Sequence, residues 1–145
     1  MKLVFAAQFE AQEEGGFVVT FRDLPEAITE GDSVEDALAN ASDCLDEAIA
    51  ARLDDGEEIP APTPLEAGEY LVAVPVESAI KVALVFAVRD RGITKTTLAE
   101  MLGVTEKAAR RLLDPHHSSR LKVMQRALSV LGAQVQVEVE REVAA

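Results

Sequence analysis

The chain has no tryptophan, one tyrosine and a single cysteine. With Cys44 alone, neither an intrachain disulfide nor a cysteine-based zinc site can form. Cys44 borders an apolar helical stripe, so it reads as a buried, inert thiol. Histidine occurs only as the adjacent pair His116-His117. Neighbouring histidines point different ways and have no further ligand or nucleophile beside them, which argues against a metal or catalytic role. The remaining readings for the pair are a structural or phosphate-contacting role and plain loop. Long hydrophobic runs are also missing. The longest, Val82–Val88, is far below the roughly 20 residues that span a bilayer. Met1–Phe9 breaks into charge at Glu10 and does not read as a signal peptide. The expectation is a soluble, cytoplasmic protein with no membrane partner. Aromatic residues make up 4% of the chain against 48% hydrophobic, so the core must be mostly aliphatic.

Basic residues are scarce where acids are dense. Residues 1–70 carry 3 basic and 18 acidic side chains, whereas residues 71–145 carry 11 basic and 8 acidic. The overall charge of −12 therefore hides an acidic half and a half able to meet phosphate. The acidic half repels a polyanion, so it must face away from one or be covered by a basic partner.

The first half reads strand-strand-strand-helix-strand. Lys2–Phe9 is a strand by composition, and Glu10–Gly16 is a turn ending Gly-Gly. In Phe17–Arg22, Phe17, Val19 and Phe21 share one face. Ala27–Thr29 supplies a short third strand before Gly31. Ser33 is the N-cap of a long helix, with Glu35 and Asp36 in its first turn. Val34, Ala37, Leu38, Ala41, Leu45, Ala48, Ile49 and Leu53 follow helical spacing, opposite the acids Asp43, Asp46, Glu47 and Asp54. After Gly56, the connector holding Pro60, Pro62 and Pro64 leads to a last strand, Tyr70–Val74. That strand can pair in parallel with an earlier one through a right-handed crossover. The helix should bury its stripe on one face of a small sheet.

The second half reads as helical. Glu77–Arg91 is apolar nearly all round and should be buried on several sides. Ile93–Leu113 has the pattern of a helix-turn-helix. Leu98, Ala99 and Leu102 lie on one face, and Gly103 provides a left-handed stop. Val104 fills the turn, Thr105 caps the second helix, and Ala108, Ala109 and Leu112 point inward. Thr105, Glu106, Lys107, Arg110 and Arg111 remain outside, where such a helix reads the major groove of double-stranded DNA. Lys95, Thr96 and Thr97 open the first helix of the motif at a usual phosphate-contact position. Ser118 or Ser119 caps a final helix carrying Leu121, Met124, Leu128 and Leu131 inward, and Ser119 and Arg120 are further candidates for phosphate. Gln134–Glu140 alternates strictly, with Val135, Val137 and Val139 on one side. As an unpaired strand it would be an exposed edge, so pairing with a second copy or packing back on a sheet is expected. The expected architecture is α+β: a βββαβ domain over residues 1–75 and a helix-turn-helix DNA-binding and dimerisation domain over residues 76–145.

Taken together, these stretches resemble the HicB family of antitoxins from bacterial type II toxin–antitoxin pairs. The matching residues are Glu14-Gly15-Gly16-Phe17, Phe21-Arg22-Asp23-Leu24-Pro25-Glu26-Ala27, Thr29-Glu30-Gly31-Asp32-Ser33 and Asp55-Gly56-Glu57 with Ile59-Pro60. In the second half they are Ala79-Ile80-Lys81-Val82 through Leu113, His116-His117, Ala127-Leu128 and Leu131-Gly132. The second half is similar to the branch with an Xre-like helix-turn-helix, departing at Ala109, where a β-branched residue is usual. The resemblance implies a partial, degenerate ribonuclease-H-like fold for the first half. It implies binding and neutralisation of a small basic HicA-type toxin, an mRNA-cleaving ribonuclease, and repression of the operon encoding both. Carboxylates suit such a partner, because they pair with the Lys and Arg that otherwise hold phosphate. Within the Asp23–Asp32 region, Asp23, Glu26, Glu30 and Asp32 are the candidate toxin contacts.

Two other classes compete. A stand-alone transcription regulator would use its first domain to sense a ligand or another protein. A metal-dependent nuclease would need carboxylates converging on metal ions. Glu10, Asp23 and Asp36 could be drawn together on paper, but no strand carries carboxylates flanked for such a cleft. Neither a catalytic residue, a metal nor a cofactor is expected. A helix-turn-helix of this size reads a palindrome as a pair, with half-sites about 34 Å apart. A homodimer or a tetramer follows from that.

Overall fold

A computed structural model of the chain describes residues 1–141. Its first half is a four-stranded antiparallel sheet with one helix laid across it. The strands are β1 (Val4–Ala11), β2 (Phe17–Phe21), β3 (Ile28–Gly31) and β4 (Glu69–Ala73), in the spatial order β3-β2-β1-β4. The β1–β2 hairpin pairs Ala7 with Phe21 and Ala11 with Phe17. Its turn closes through Gln12 N–H donating to the Gly16 carbonyl at 3.0 Å, with Gly15 and Gly16 both at positive φ. Only glycine takes such angles without strain.

Period-two alternation sends Phe5, Ala7, Val19, Phe21 and Val72 to one face, where they are buried. The helix α1 (Val34–Asp54) covers that face with Ala37, Ala41, Leu45, Ile49 and Leu53. Ser33 caps it as expected, its hydroxyl accepting from the Asp36 N–H. The approach is close at β3, where Gly31 lies against the backbone of Ala37.

The last strand departs from expectation. β4 pairs antiparallel with β1, matching Val4 to Ala73 and Gln8 to Glu69. A helix followed directly by a strand would give a parallel pair. Here a fourteen-residue connector, 55–68, intervenes between α1 and β4, and β4 runs opposite to β1. The connector is held down at its middle. The Arg22 guanidinium donates to Thr63 Oγ1 at 3.1 Å, the Pro64 carbonyl at 2.8 Å and Glu69 Oε2 at 3.2 Å. Asp23 accepts from the Thr63 N–H at 2.9 Å.

Five α-helices occur among the described residues, and four of them make the second half: α2 (Val76–Arg91), α3 (Lys95–Leu102), α4 (Glu106–Leu113) and α5 (Leu121–Val130). Their shared core is Ile80, Leu84, Val88, Leu98, Leu102, Ala109, Leu112, Met124 and Leu128. α2 serves both cores. Val82 is fully buried among the sheet and α1 residues, with Ala79, Val85 and Phe86 packed beside it, while Ile80, Leu84 and Val88 face the other helices. This is the physical meaning of a helix apolar nearly all round.

Residues 134–141 form no strand. A strand requires a hydrogen-bonding neighbour, and the described residues offer this segment none. Val135 packs on the second core, whereas Val137 and Val139 are 66% and 85% exposed. Lys2 meets Glu138 and Glu140 at 4.0 and 3.6 Å, drawing the segment toward the start of β1. No helix is long and apolar enough to cross a membrane among the described residues.

Candidate functional site

The basic surface is built on α3 and α4, eight residues each, joined by Gly103, Val104 and Thr105. Gly103 takes φ 66°, ψ 35° at the end of α3. Its left-handed turn lets Val104 dip toward the core, half-buried. Thr105 caps α4 by accepting from the Ala108 N–H at 3.1 Å. Ala109 and Leu112 are buried, which fixes the opposite face outward. Thr105, Glu106, Lys107, Arg110 and Arg111 are all exposed there. Glu106 and Arg110 are one turn apart and pair. Lys107 and Arg111 have no carboxylate partner among the described residues.

The flanking candidates divide. Lys95 and Thr96 are exposed at the start of α3. Thr97 is half-buried, and its N–H is already used, donating to the capping hydroxyl of Thr94 at 3.0 Å. Ser119 does not cap α5. That helix starts at Leu121 with Arg120 at its N-cap and no side-chain capping bond. The Ser119 hydroxyl is claimed instead by Lys81, whose Nζ donates to it at 2.8 Å and to the Arg111 carbonyl at 2.7 Å. Lys81 was legible only as a lone charge inside an apolar helix. Burial pushes its ammonium below the usual lysine range, against the opposing pull of Asp114 and Glu77.

Among the candidate toxin contacts, two carboxylates are occupied. Asp23 holds Thr63. Glu26 is paired with Arg52 of α1, whose guanidinium keeps the Glu26 carboxyl below its ordinary range. Glu30 and Asp32 are exposed, and their carboxylates make no hydrogen bond or ion pair among the described residues. What the backbone does there is structural: Asn40 Nδ2 donates to the Glu30 carbonyl and the Asp32 N–H donates to Asp36. The acidic surface continues along α1 through the exposed Asp43, Glu47 and Asp54. No three His, Cys, Asp or Glu side chains gather as a metal-binding group among the described residues.

The two surfaces adjoin. Leu53 and Asp54 of α1 line an open cleft of about 630 Å³ opposite Arg89, Lys95, Arg110 and Asp114. Beside it, His116 pairs with Asp54, and the carboxylate raises the imidazole pKa above its ordinary 6.5. A raised pKa in the fold means the pair's stabilisation is full below about pH 6.5 and disappears as pH climbs through the folded value. Both side chains are largely exposed, so the contribution is small. Asp54→Asn should lower the melting temperature slightly at about pH 6 and leave it unchanged in alkaline buffer. An equal difference at both pH values would exclude this pair as its source.

Residues 4–83 match the family of HicB-like antitoxins of bacterial toxin–antitoxin systems, a span that ends inside α2. Antitoxin HicB 1 of Photorhabdus laumondii is 36% identical over 136 residues, covering 94% of this chain and 86% of its own. Antitoxin HicB of Escherichia coli K12 is 36% identical over 122 residues, with 84% and 88% covered. Antitoxin HicB of Pseudomonas fluorescens is 33% identical over 143 residues, with 95% and 96% covered. The chain belongs to the HicB-like antitoxin family. Its part in a bacterial toxin–antitoxin pair is that of the antitoxin, and the relatives carry names of antitoxins, not of enzymes. A toxin is therefore its partner.

Proposed function

We propose that the acidic half binds and neutralises a HicA-type mRNA-cleaving ribonuclease, and that α3 and α4 form an Xre-like helix-turn-helix that represses the shared operon. The partition of charge carries this reading. An excess of fifteen acidic over basic side chains lies in residues 1–70, and an excess of three basic ones follows in residues 71–145. A basic ribonuclease and an operator duplex are partners of the two matching chemistries. The first half is read as a partial ribonuclease-H-like fold serving recognition rather than catalysis. Glu30 and Asp32, whose carboxylates have no partner among the described residues, are its first candidates for toxin contact. Asp23 and Glu26 support the same loop from within. A free-standing regulator sensing a ligand would want a pocket inside the first half, and the large cleft lies between the halves instead.

Lys107 and Arg110 are read as base or backbone contacts from α4, with Lys95, Thr96, Arg111 and Arg120 on phosphate. Two copies would read a palindrome, joined through Val135, Val137 and Val139 as a homodimer or a tetramer. Co-expression with a tagged HicA-type toxin should copurify the chain and restore growth. In gel shifts on its own promoter, Lys107→Ala and Arg110→Ala should each weaken binding by about 1–3 kcal/mol. Growth arrest despite co-expression would remove the antitoxin–toxin pairing, and wild-type affinity in both variants would remove α4 from the groove.

A further inference from the structure

Lys81 is the one charged residue buried among those described, at 3% exposure. Its ammonium spans two segments: the Arg111 carbonyl near the end of α4, and the Ser119 hydroxyl before α5. The first bond has a structural purpose. α4 ends at Leu113 on an extended Asp114, without a left-handed cap, and the Arg111 carbonyl takes the Asp114 N–H at 3.3 Å on one lone pair and the Lys81 ammonium on the other. The second bond gives the buried ammonium its other acceptor and, because Ser119 is only half-buried, ties that need to a hydroxyl within reach of the surface.

A serine hydroxyl has one hydrogen to donate and two lone pairs to accept with. Occupied as an acceptor by an ammonium, Ser119 keeps its own hydrogen for another group. The one acceptor within hydrogen-bond range of it among the described residues is His117 Nδ1 at 3.5 Å, too long for a good bond. Arg120 follows directly, and Arg111 shares the Lys81 ammonium with Ser119; both arginines are exposed. The loop itself is held by Asp114, which accepts from the His116 N–H at 2.9 Å through its side chain and from the His117 N–H at 3.2 Å through its carbonyl.

We propose that Lys81 is a positioning residue for a DNA-phosphate contact made by Ser119. It sets the spacing between α4 and the 114–119 loop, and it leaves the Ser119 hydroxyl hydrogen free for a phosphate oxygen. This rests on the DNA-binding reading above. The side chain of Lys81 never reaches the duplex.

The test uses the full chain and a duplex carrying the promoter upstream of its own reading frame. Ser119→Ala should weaken binding about tenfold, the usual worth of a hydrogen bond to a charged group. Lys81→Met should weaken it similarly, and the double variant should bind no worse than either single one. Replacing single phosphates by neutral methylphosphonates adds a readout that a mere loss of fold stability would not move. One such phosphate should matter to the wild type and not to either variant. Additive losses, or variants as tight as the wild type, would overturn the inference. Lys81→Gln serves where Lys81→Met does not fold. A wild type without preference for the promoter over unrelated duplex fails earlier, and that failure belongs to the DNA-binding reading.

Discussion

Gly31→Ala is expected to destabilise the first half strongly. A methyl group at residue 31 would sit 2.4 Å from the Ala37 nitrogen and 2.5 Å from its Cα. Those are backbone atoms of a capped helix, so no side-chain rotation relieves the clash. Gly31 pairs with Phe17 at the end of the sheet, and α1 begins two residues beyond Ser33's neighbour Asp32. Relief would need α1 to lift from β3, taking Ala37 and Ala41 out of the core. Overpacking of this kind costs about 3 kcal/mol or more, a large share of the roughly 5–15 kcal/mol that holds a domain folded. The melting temperature should fall by roughly 10 °C, and copurification with the toxin should fail in step. An unfolding midpoint at the wild-type value would mean that β3 and α1 do not meet as described.

The second large effect concerns where the chain can be cut. A fragment ending at Pro75 holds every strand and α1, yet it lacks the Val82, Val85 and Phe86 side chains that close the sheet's core from α2. Burying such side chains is worth roughly 3–6 kcal/mol together, which a small sheet with one helix cannot spare. A fragment ending at Arg91, with Leu84 and Val88 changed to Gln to keep its newly bared face wet, should unfold cooperatively in urea. The shorter fragment should show no cooperative transition. Equal midpoints for the two would assign α2 to the second half alone.

Much of this fold was legible in local pattern. Composition placed β1, alternation placed β2, the apolar stripe placed α1, and Ser33, Gly103 and Thr105 marked helix ends that the backbone reproduces. Local pattern has no reach, and each departure came from a distant partner. β4 runs antiparallel to β1, which lies more than sixty residues earlier in the chain. Ser119 looked like a cap, but a lysine thirty-eight residues away takes its hydroxyl. Asp23 and Glu26 looked like free surface charge until Thr63 and Arg52 arrived beside them. The alternation of Gln134–Glu140 was real, but it describes a segment able to become a strand, and pairing is what makes one. On the candidate DNA surface, the exposed set on α4 followed directly from which residues the core required.

The interleaving of α2 bears on how such proteins can be recombined. Along one turn, Ile80 and Lys81 serve the helices behind, while Val82 serves the sheet in front. No junction in that helix separates the two sets cleanly. A chimera that grafts another second half onto this first half must carry a hybrid α2, matched on each face to a different parent. Exchange of halves between such chains is thus constrained by the two faces of one helix, whatever partners the outer surfaces meet.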